Sequence, residues 1–339
     1  MPALKQRISE AARGLRAFLS SGTGSTRAGR TQVFERGNST ESDSIRPENI
    51  VWVFGNAKTG STWLAFMMEE IKAHTVWREP YVGELFGRLY YNWVGERHFQ
   101  TKHFILGGPQ KGSWLKSMRS FVLSEANARF PEAANGGYLV IKEPNGSIGA
   151  PLLMEALPES RMIFLIRDPR DVVASRLDSA KKGSYLYERR VKEGGGRTAM
   201  FDIEADTLVE SAATRYLQNI GNVREAYEAH KGHKAFVRYE DLRPNTLESM
   251  KRIYSTLGIA VDEGELARAV EKHSWEAIPK EEKGEGKFRR KAKPGGWQED
   301  LTPEQAEVVE RITAPLLKEF YPSEGQSESS SEKLPLDRR

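Results

Sequence analysis

The sequence predicts an α/β protein of three layers, with helices on both faces of a central parallel sheet. Three observations carry that prediction. Short apolar runs bounded by turn residues recur along the chain. Segments of helical periodicity alternate with them. The first run ends in a glycine-rich turn that opens a helix.

Taken in order, Ile50–Phe54 (IVWVF) is an unbroken apolar run, as in a strand buried on both faces. The stretch GNAKTGSTWL, Gly55 to Leu64, leads from that strand into a helix from Ser61, with Leu64, Met67, Met68 and Ile71 on its buried side. YLVIK (Tyr138–Lys142) and RMIFLIR (Arg161–Arg167) are further strands. After the second, Asp168 caps and Pro169 opens a helix through about Ala180. Residues 207–229 are helical, KAFVRYEDL is another strand, and a helix follows Pro244. A last helix spans 303–319, with Thr302 as its cap and Pro303 first. No internal repeat is present. Residues 81–130 hold ten aromatic residues with weak periodicity, and residues 181–206 are rich in Gly and Arg. Both read as insertions that either build a substrate pocket or pack on the flank of the sheet.

The 339 residues, 38% of them hydrophobic, supply a core for one large domain or two small ones. Cysteine is absent, so disulfides, thiolate metal sites and a cysteine nucleophile are excluded. No apolar run is long enough to span a bilayer, and no signal peptide is recognisable, so the expectation is a soluble, cytoplasmic protein. Residues 1–36 carry seven basic and two acidic residues, a net of +5 against +4 for the whole chain. The rest is therefore near neutral at −1, which argues against a nucleic-acid surface and requires any anion site to be a local cluster. The expected organisation is a basic, flexible segment 1–48, a domain over 49–322 and a disordered tail 323–339. Residues 1–20 also fit a basic amphipathic helix that touches a membrane surface weakly.

Three stretches carry chemistry. In GNAKTGSTWL the spacing of Gly55 and Gly60 is that of a phosphate-binding loop, but Ser61 stands where a nucleotide triphosphatase has lysine, and the only lysine is Lys58. Backbone N–H groups at the helix start and its dipole favour an anion there, with Lys58, Ser61 and Thr62 adding a charge and hydroxyl donors. Trp63 is placed either to stack on an adenine or to fill the core. In IRDPRDVVASRL, Arg167 ends a strand and Ser175 lies two turns along the next helix, so both can reach one anion. The alternative is an arginine paired with Asp168 or Asp171. In KFRRKAKPGGW, Lys287–Trp297, five basic residues fall within seven positions before Pro-Gly-Gly, as in a phosphate-gripping loop or a solvated basic face.

Together these segments resemble a family. From about Ile50 to Tyr321 the chain is similar to the sulfotransferases that use 3′-phosphoadenosine 5′-phosphosulfate (PAPS), which have a P-loop-like three-layer fold. AKTGSTWL resembles their 5′-phosphosulfate loop, and IRDPRDVVAS their 3′-phosphate segment. FVRYEDL resembles the strand that brings a tyrosine to the nucleotide. FRRKAKPGGW keeps the register of their Arg-Lys-Gly-x-x-Gly-Asp-Trp loop, with Ala292 in place of glycine and Gly296 in place of aspartate. The resemblance implies a donor site made by Lys58, Thr59, Gly60, Ser61, Thr62, Trp63, Arg167, Ser175, Tyr239, Trp275, Phe288, Arg289, Arg290 and Lys291. Trp275, in KHSW, falls where an aromatic closes the second adenine face.

It also implies sulfuryl transfer to a hydroxyl or amine of a small molecule, lipid or glycan, leaving adenosine 3′,5′-bisphosphate (PAP). A sulfuryl group in transfer carries less charge than a phosphoryl group, so no metal is expected. Lys58 is expected to act on the leaving phosphate, and Lys142 matches the lysine of the family's Lys-x-His pair. Pro144 stands at the histidine position. Glu79, in VWREPYVGELF, is then the expected base, buried among Trp77, Tyr81 and other aromatics, with Glu84 and Glu143 behind it. A nucleoside-type kinase lacks support here, because Gly-Lys-Ser/Thr and a magnesium-binding carboxylate are both missing. Loss of Lys58, Arg167 or Arg290 would favour a non-catalytic nucleotide-binding protein, and all three are present. Acceptor and oligomeric state stay open.

Overall fold

The computed structural model of the chain describes residues 44–94, 100–192 and 201–322. The expectations for residues 1–20, the linker to residue 43 and the tail 323–339 lie outside the described residues, as do 193–200 of the Gly/Arg-rich stretch.

Five parallel strands form one sheet: β1 Ile50–Phe54, β2 His74–Arg78, β3 Tyr138–Lys142, β4 Arg161–Ile166 and β5 Lys234–Arg238, in the order β2-β3-β1-β4-β5. The expected fold class is the one found. Chain direction reverses beside β1, because β1 connects outward to β2 and β4 connects outward to β5. The crevice between the carboxyl ends of β1 and β4 is thus the switch point at which open α/β sheets bind ligands.

Strand alternation sorts the core into two faces. Trp52, Phe54, Leu139, Ile141, Met162 and Phe164 point to one side. There they meet α3 (Lys111–Arg129), α4 (Ala150–Ala156), α7 (Ala205–Ala229) and the end of α10 (Pro303–Phe320). Val51, Val53, Val140, Ile163, Leu165 and Val237 face the other side. That side is covered by α1 (Ser61–Glu69), α8 (Thr246–Thr256) and α9 (Glu263–Lys272). Every residue of β1 is buried, which explains its unbroken apolar run.

The remaining longer helices are α2 (Val82–Trp93), α5 (Pro169–Ala180) and α6 (Tyr185–Lys192), and single helical turns lie at Tyr239–Leu242 and Trp297–Asp300. The Asp168 side chain accepts the Arg170 amide and caps α5 as expected, and Thr302 with Gln305 forms a capping box on α10.

Two differences from the sequence expectation bear on function. The described residues of 81–130, which leave out 95–99, are mainly α2 and α3 rather than an irregular insertion. Most of their aromatic residues pack on one another: Phe86 on Phe121, Tyr90 on Trp114, Trp93 on Phe104. β2 was not expected at all. It places Glu79 directly after a strand, not merely after the first helix, so Glu79 sits at the same sheet edge as the glycine loop.

α1 depends on the expected face, for Leu64, Met67 and Met68 are fully buried and Ile71 nearly so. Leu64→Ala is expected to cost about 2–5 kcal/mol, whereas Leu85→Ala, on the exposed side of α2, should stay within about 0.5 kcal/mol. Urea denaturation of the two variants checks this contrast.

Candidate active site

One cavity of about 520 Å³ opens at the carboxyl edge of the sheet. Its floor is the loop between β1 and α1. Gly60 has φ +94°, and a Cβ there would lie 2.7 Å from the Tyr239 ring, so backbone conformation and space both demand glycine. Thr59 Oγ1 donates to the Asn56 carbonyl at 2.8 Å, and Asn219 Nδ2 donates to Asn56 Oδ1 at 2.8 Å. The Gly55 amide donates to Ser147 Oγ at 3.0 Å. The loop is therefore pinned from behind before any ligand arrives. Thr59 is fully buried and is not part of the cavity wall; its side chain is used inside the loop.

Four non-glycine residues have positive φ among the described residues: Lys58, Glu79, Tyr81 and Ala292. All four line this cavity. Strained backbone concentrated at one place marks a functional site rather than a fold requirement.

Lys58 Nζ donates to Tyr185 Oη at 2.7 Å, so α6 is fixed over the loop. Burial, then the positive charge of Arg176, lowers the Lys58 pKa to about 7, with Arg189 and Arg290 adding to the effect and Asp178 opposing it. Arg167 extends from the end of β4. Its Nη1 donates to the Lys58 carbonyl at 3.3 Å, its guanidinium lies 4.4 Å from the Tyr239 ring centroid, and its Nε is buried without a partner.

Asp171, wholly buried, ties Arg167 to the late basic loop. It pairs with Arg167 Nη2 at 3.4 Å and accepts the amides of Gly295 and Trp297, both at 2.9 Å. Asp178, two turns further along α5, accepts the Gly286 amide at 3.2 Å. These two carboxylates hold Lys287–Trp297 against the cavity, so Phe288, Arg289, Arg290 and Lys291 line it. Arg290 pairs with Asp300 at 2.5 Å, and Lys291 pairs with Glu299 and Asp300, each at 2.9 Å.

Trp63 and Tyr239 meet edge to face at 6.1 Å, and the Trp63 indole donates to the His273 carbonyl at 2.8 Å. Both line the cavity together with Trp275. Ser175 lines it as well.

At the far side of the loop, Lys142 Nζ donates to Thr62 Oγ1 at 3.2 Å and makes a close ion pair with Glu79. Glu79 Oε2 accepts from Asn145 Nδ2 at 2.8 Å and lies 3.4 Å from Tyr81 Oη. The expected apolar burial of Glu79 is not found. Trp77 points to the opposite side of the sheet, onto Phe130, and the Glu79 side chain is about a third exposed beside Lys142 and Asn145. Lys142 is itself buried and reaches the site through these two contacts rather than as cavity wall. Glu84 lines the cavity and pairs with Arg88. Glu143 does not line it: its carboxylate accepts the Tyr81 and Gly83 amides, each at 3.1 Å, at the start of α2. Burial pushes the Glu143 pKa up to about 7 against those two amides.

Sequence reasoning missed Tyr185, Asn145, Arg176, Arg190 and Arg215, all of which line the cavity. Arg176 had a signal, standing next to Ser175 in the second motif. Asn145 had one too, directly after Pro144 in the segment compared with the Lys-x-His pair, whereas Tyr185, Arg190 and Arg215 come from segments with no motif of their own. Among the described residues no group of three or more His, Asp or Glu is placed to hold a metal ion.

The model of the sulfotransferase domain matches residues 48–321. The chain belongs to the sulfotransferase-domain family. It is 24% identical over 199 residues to cytosolic sulfotransferase 16 of Arabidopsis thaliana, covering 52% of this chain and 55% of that protein. It is 23% identical over 158 residues to carbohydrate sulfotransferase 1 of Danio rerio, covering 47% and 37%. These matches thus span about half or less of the curated relatives. Among solved structures, a mouse sulfotransferase complexed with PAP shares the fold at TM-score 0.51 and 16% identity, over 82% of this chain and 88% of that one. A sulfotransferase from Mycobacterium avium does so at 0.50 and 14%, over 82% and 78%.

The lowered pKa of Lys58 makes anion binding pH-dependent. A bound anion favours the charged lysine, and below about pH 7 that charge is already present. Above it, binding must take up a proton, so PAP affinity is expected to fall as pH rises from about 7 to about 9, by at most about tenfold per unit. Calorimetry in buffers of different ionisation heat should show that uptake in the wild type and lose it in Lys58→Arg.

Proposed function

We propose that the chain transfers a sulfuryl group from PAPS to a hydroxyl or amine of a small-molecule, lipid or glycan acceptor, in the cytoplasm and without a metal. The catalytic unit is residues 49–322. The observation that carries this reading is one cavity with cationic clusters at both ends and a carboxylate beside one of them. A donor with two separated anionic ends fits it.

The glycine loop, Lys58, Ser61 and Thr62 face the 5′ end. Arg167, Ser175, Arg290 and Lys291 hold the 3′-phosphate, and the orphaned Nε of Arg167 gives that end an unmet donor. Trp63, Tyr239, Trp275 and Phe288 form the slot for the base, with Arg289 at its rim. When bound, the donor supplies an activated sulfuryl group on a phosphate leaving group. Lys58 stabilises the charge that gathers on the departing oxygen.

Glu79 Oε2 takes the proton of the acceptor hydroxyl, which is a weak nucleophile until that proton has a destination. Lys142 and Asn145 keep the carboxylate turned towards the cavity, and Lys142 also fixes the Thr62 hydroxyl. The close Lys142 contact links the two halves of the reaction, because one ammonium touches both the loop and the base.

Incubating the protein with radiolabelled PAPS and cell extract tests the reading, with label expected in an acceptor and PAP released. Glu79→Gln should keep PAP affinity and lose about a hundredfold or more in turnover, the usual scale for removal of a general base. Glu84→Gln, whose carboxylate is paired with Arg88, should change turnover little. If Glu84→Gln is the damaged variant and Glu79→Gln is not, the base is misassigned. No transfer of label to any acceptor would contradict the function itself.

A further inference from the structure

Among the described residues, eleven cationic side chains line the cavity against two carboxylates, Glu79 and Glu84. Many of the cations are answered locally. Arg167 meets Asp171, Arg289 meets Glu282, Arg290 and Lys291 meet Asp300, and Lys272 meets Glu70. Arg176, Arg190 and Arg215 are different. None has a carboxylate partner among the described residues, and the Nε of Arg190 is buried without any partner. They come from three elements, α5, α6 and α7, and converge on one wall. Burial, followed by the charges of Arg215 and Arg190, lowers the pKa of Arg176 against the opposing Tyr185, so Arg176 lies in the field of both other guanidinium groups. Guanidinium groups do not shed their protons, so the repulsion has to be met by an anion.

The donor already has Lys58 and the loop amides at one end and Arg167, Arg290 and Lys291 at the other. None of the three arginines belongs to the proposed donor set, although the charge of Arg176 also reaches Lys58. Arg190 lies on the side of the base: its charge acts on Tyr81, whose hydroxyl is 3.4 Å from Glu79 Oε2. Leu186, one turn before Arg190 on α6, gives this wall an apolar element.

We propose that Arg176, Arg190 and Arg215 form an anion subsite for the acceptor, so that the preferred acceptor carries a carboxylate, phosphate or sulfate group besides its reacting hydroxyl. This deepens the sulfotransferase reading and rests on it. The subsite selects for charge by pairing guanidinium with an oxyanion, and the loss of that pairing penalises neutral analogues.

Calorimetry on the PAP-saturated protein tests this without requiring turnover. The probes are para-hydroxyphenylacetate and its uncharged amide, with the glucuronide and glucoside of one phenol as a second pair. The first pair represents small aromatic acids and the second sugar acids. In at least one pair the acid is expected to bind about tenfold or more tighter than its neutral partner, the scale of one charge-assisted hydrogen bond. Arg190→Ala and Arg215→Gln should each shrink that ratio towards one while PAP affinity stays within about twofold and the thermal melting curve is unchanged. Equal binding of acid and neutral probes in both pairs, or no binding of any probe, overturns the proposal. So does an acid preference that survives both substitutions. A fall in PAP affinity with no change in the ratio assigns the arginines to the donor instead. Failure of the wild type to bind PAP at all would remove the sulfotransferase reading, an outcome distinct from loss of the subsite alone.

Discussion

Asp171 is the contact on which the rest of the site depends. It is fully buried, in the first turn of α5, yet it is not neutralised by a single partner. One oxygen faces Arg167 and the Gly295 amide, and the other accepts the Trp297 amide. A buried carboxylate is tolerated only when it is paired and hydrogen-bonded in this way. The consequence is long-range. A loop more than a hundred residues later in the chain is held at the carboxyl end of β4, and its cations face the same space as the glycine loop after β1. Asp178, through the Gly286 amide, and Arg243, through the Ala292 carbonyl, hold the same loop at two further points.

The electrostatics of the cavity are built from buried positive charge. Lys58 loses affinity for its proton because it is desolvated among other cations. Arg290 and Lys291 instead carry their own counter-charges, Asp300 and Glu299, which follow them within one short turn, Trp297–Asp300. Binding of a polyanion at that end is an exchange of partners, whereas at Lys58 it restores a charge that burial disfavours. The Lys142–Glu79 pair is a third arrangement, in which the cation is buried and the carboxylate is partly exposed towards the cavity.

Much of this was legible in the sequence because the central strands are apolar on both faces and the motifs sit at their ends. β1, β3, β4 and the two glycine- and arginine-bearing turns follow from that. β2 was not legible: HTVWR is a short edge strand, and only His74 and Val76 are buried. α2 inverts the usual pattern. Its buried residues include Gly83 and Gly87, which pass against the backbone of Gly146 and Gly149, while Leu85 and Leu89 are exposed. α3 buries a single row at spacing four, Trp114, Met118, Val122 and Ala126, too narrow a stripe to stand out among its aromatic neighbours. The same reasons hid part of the site. Glu79 was found by resemblance, but its partners Lys142 and Asn145 depend on the register of β2 beside β3. Tyr185 and the arginines of α6 and α7 reach the cavity only through tertiary packing.

The central claim is that one cavity holds two separated anions, and its most direct measurement compares PAP with AMP. The two nucleotides share the base, the ribose and the 5′-phosphate, and differ only in the 3′-phosphate assigned to Arg167, Ser175, Arg290 and Lys291. Calorimetry at neutral pH is expected to show AMP binding weaker by about 2–4 kcal/mol, since charge-assisted hydrogen bonds contribute roughly 1.5–3 kcal/mol each and are not additive. Equal affinity for AMP and PAP would contradict the account.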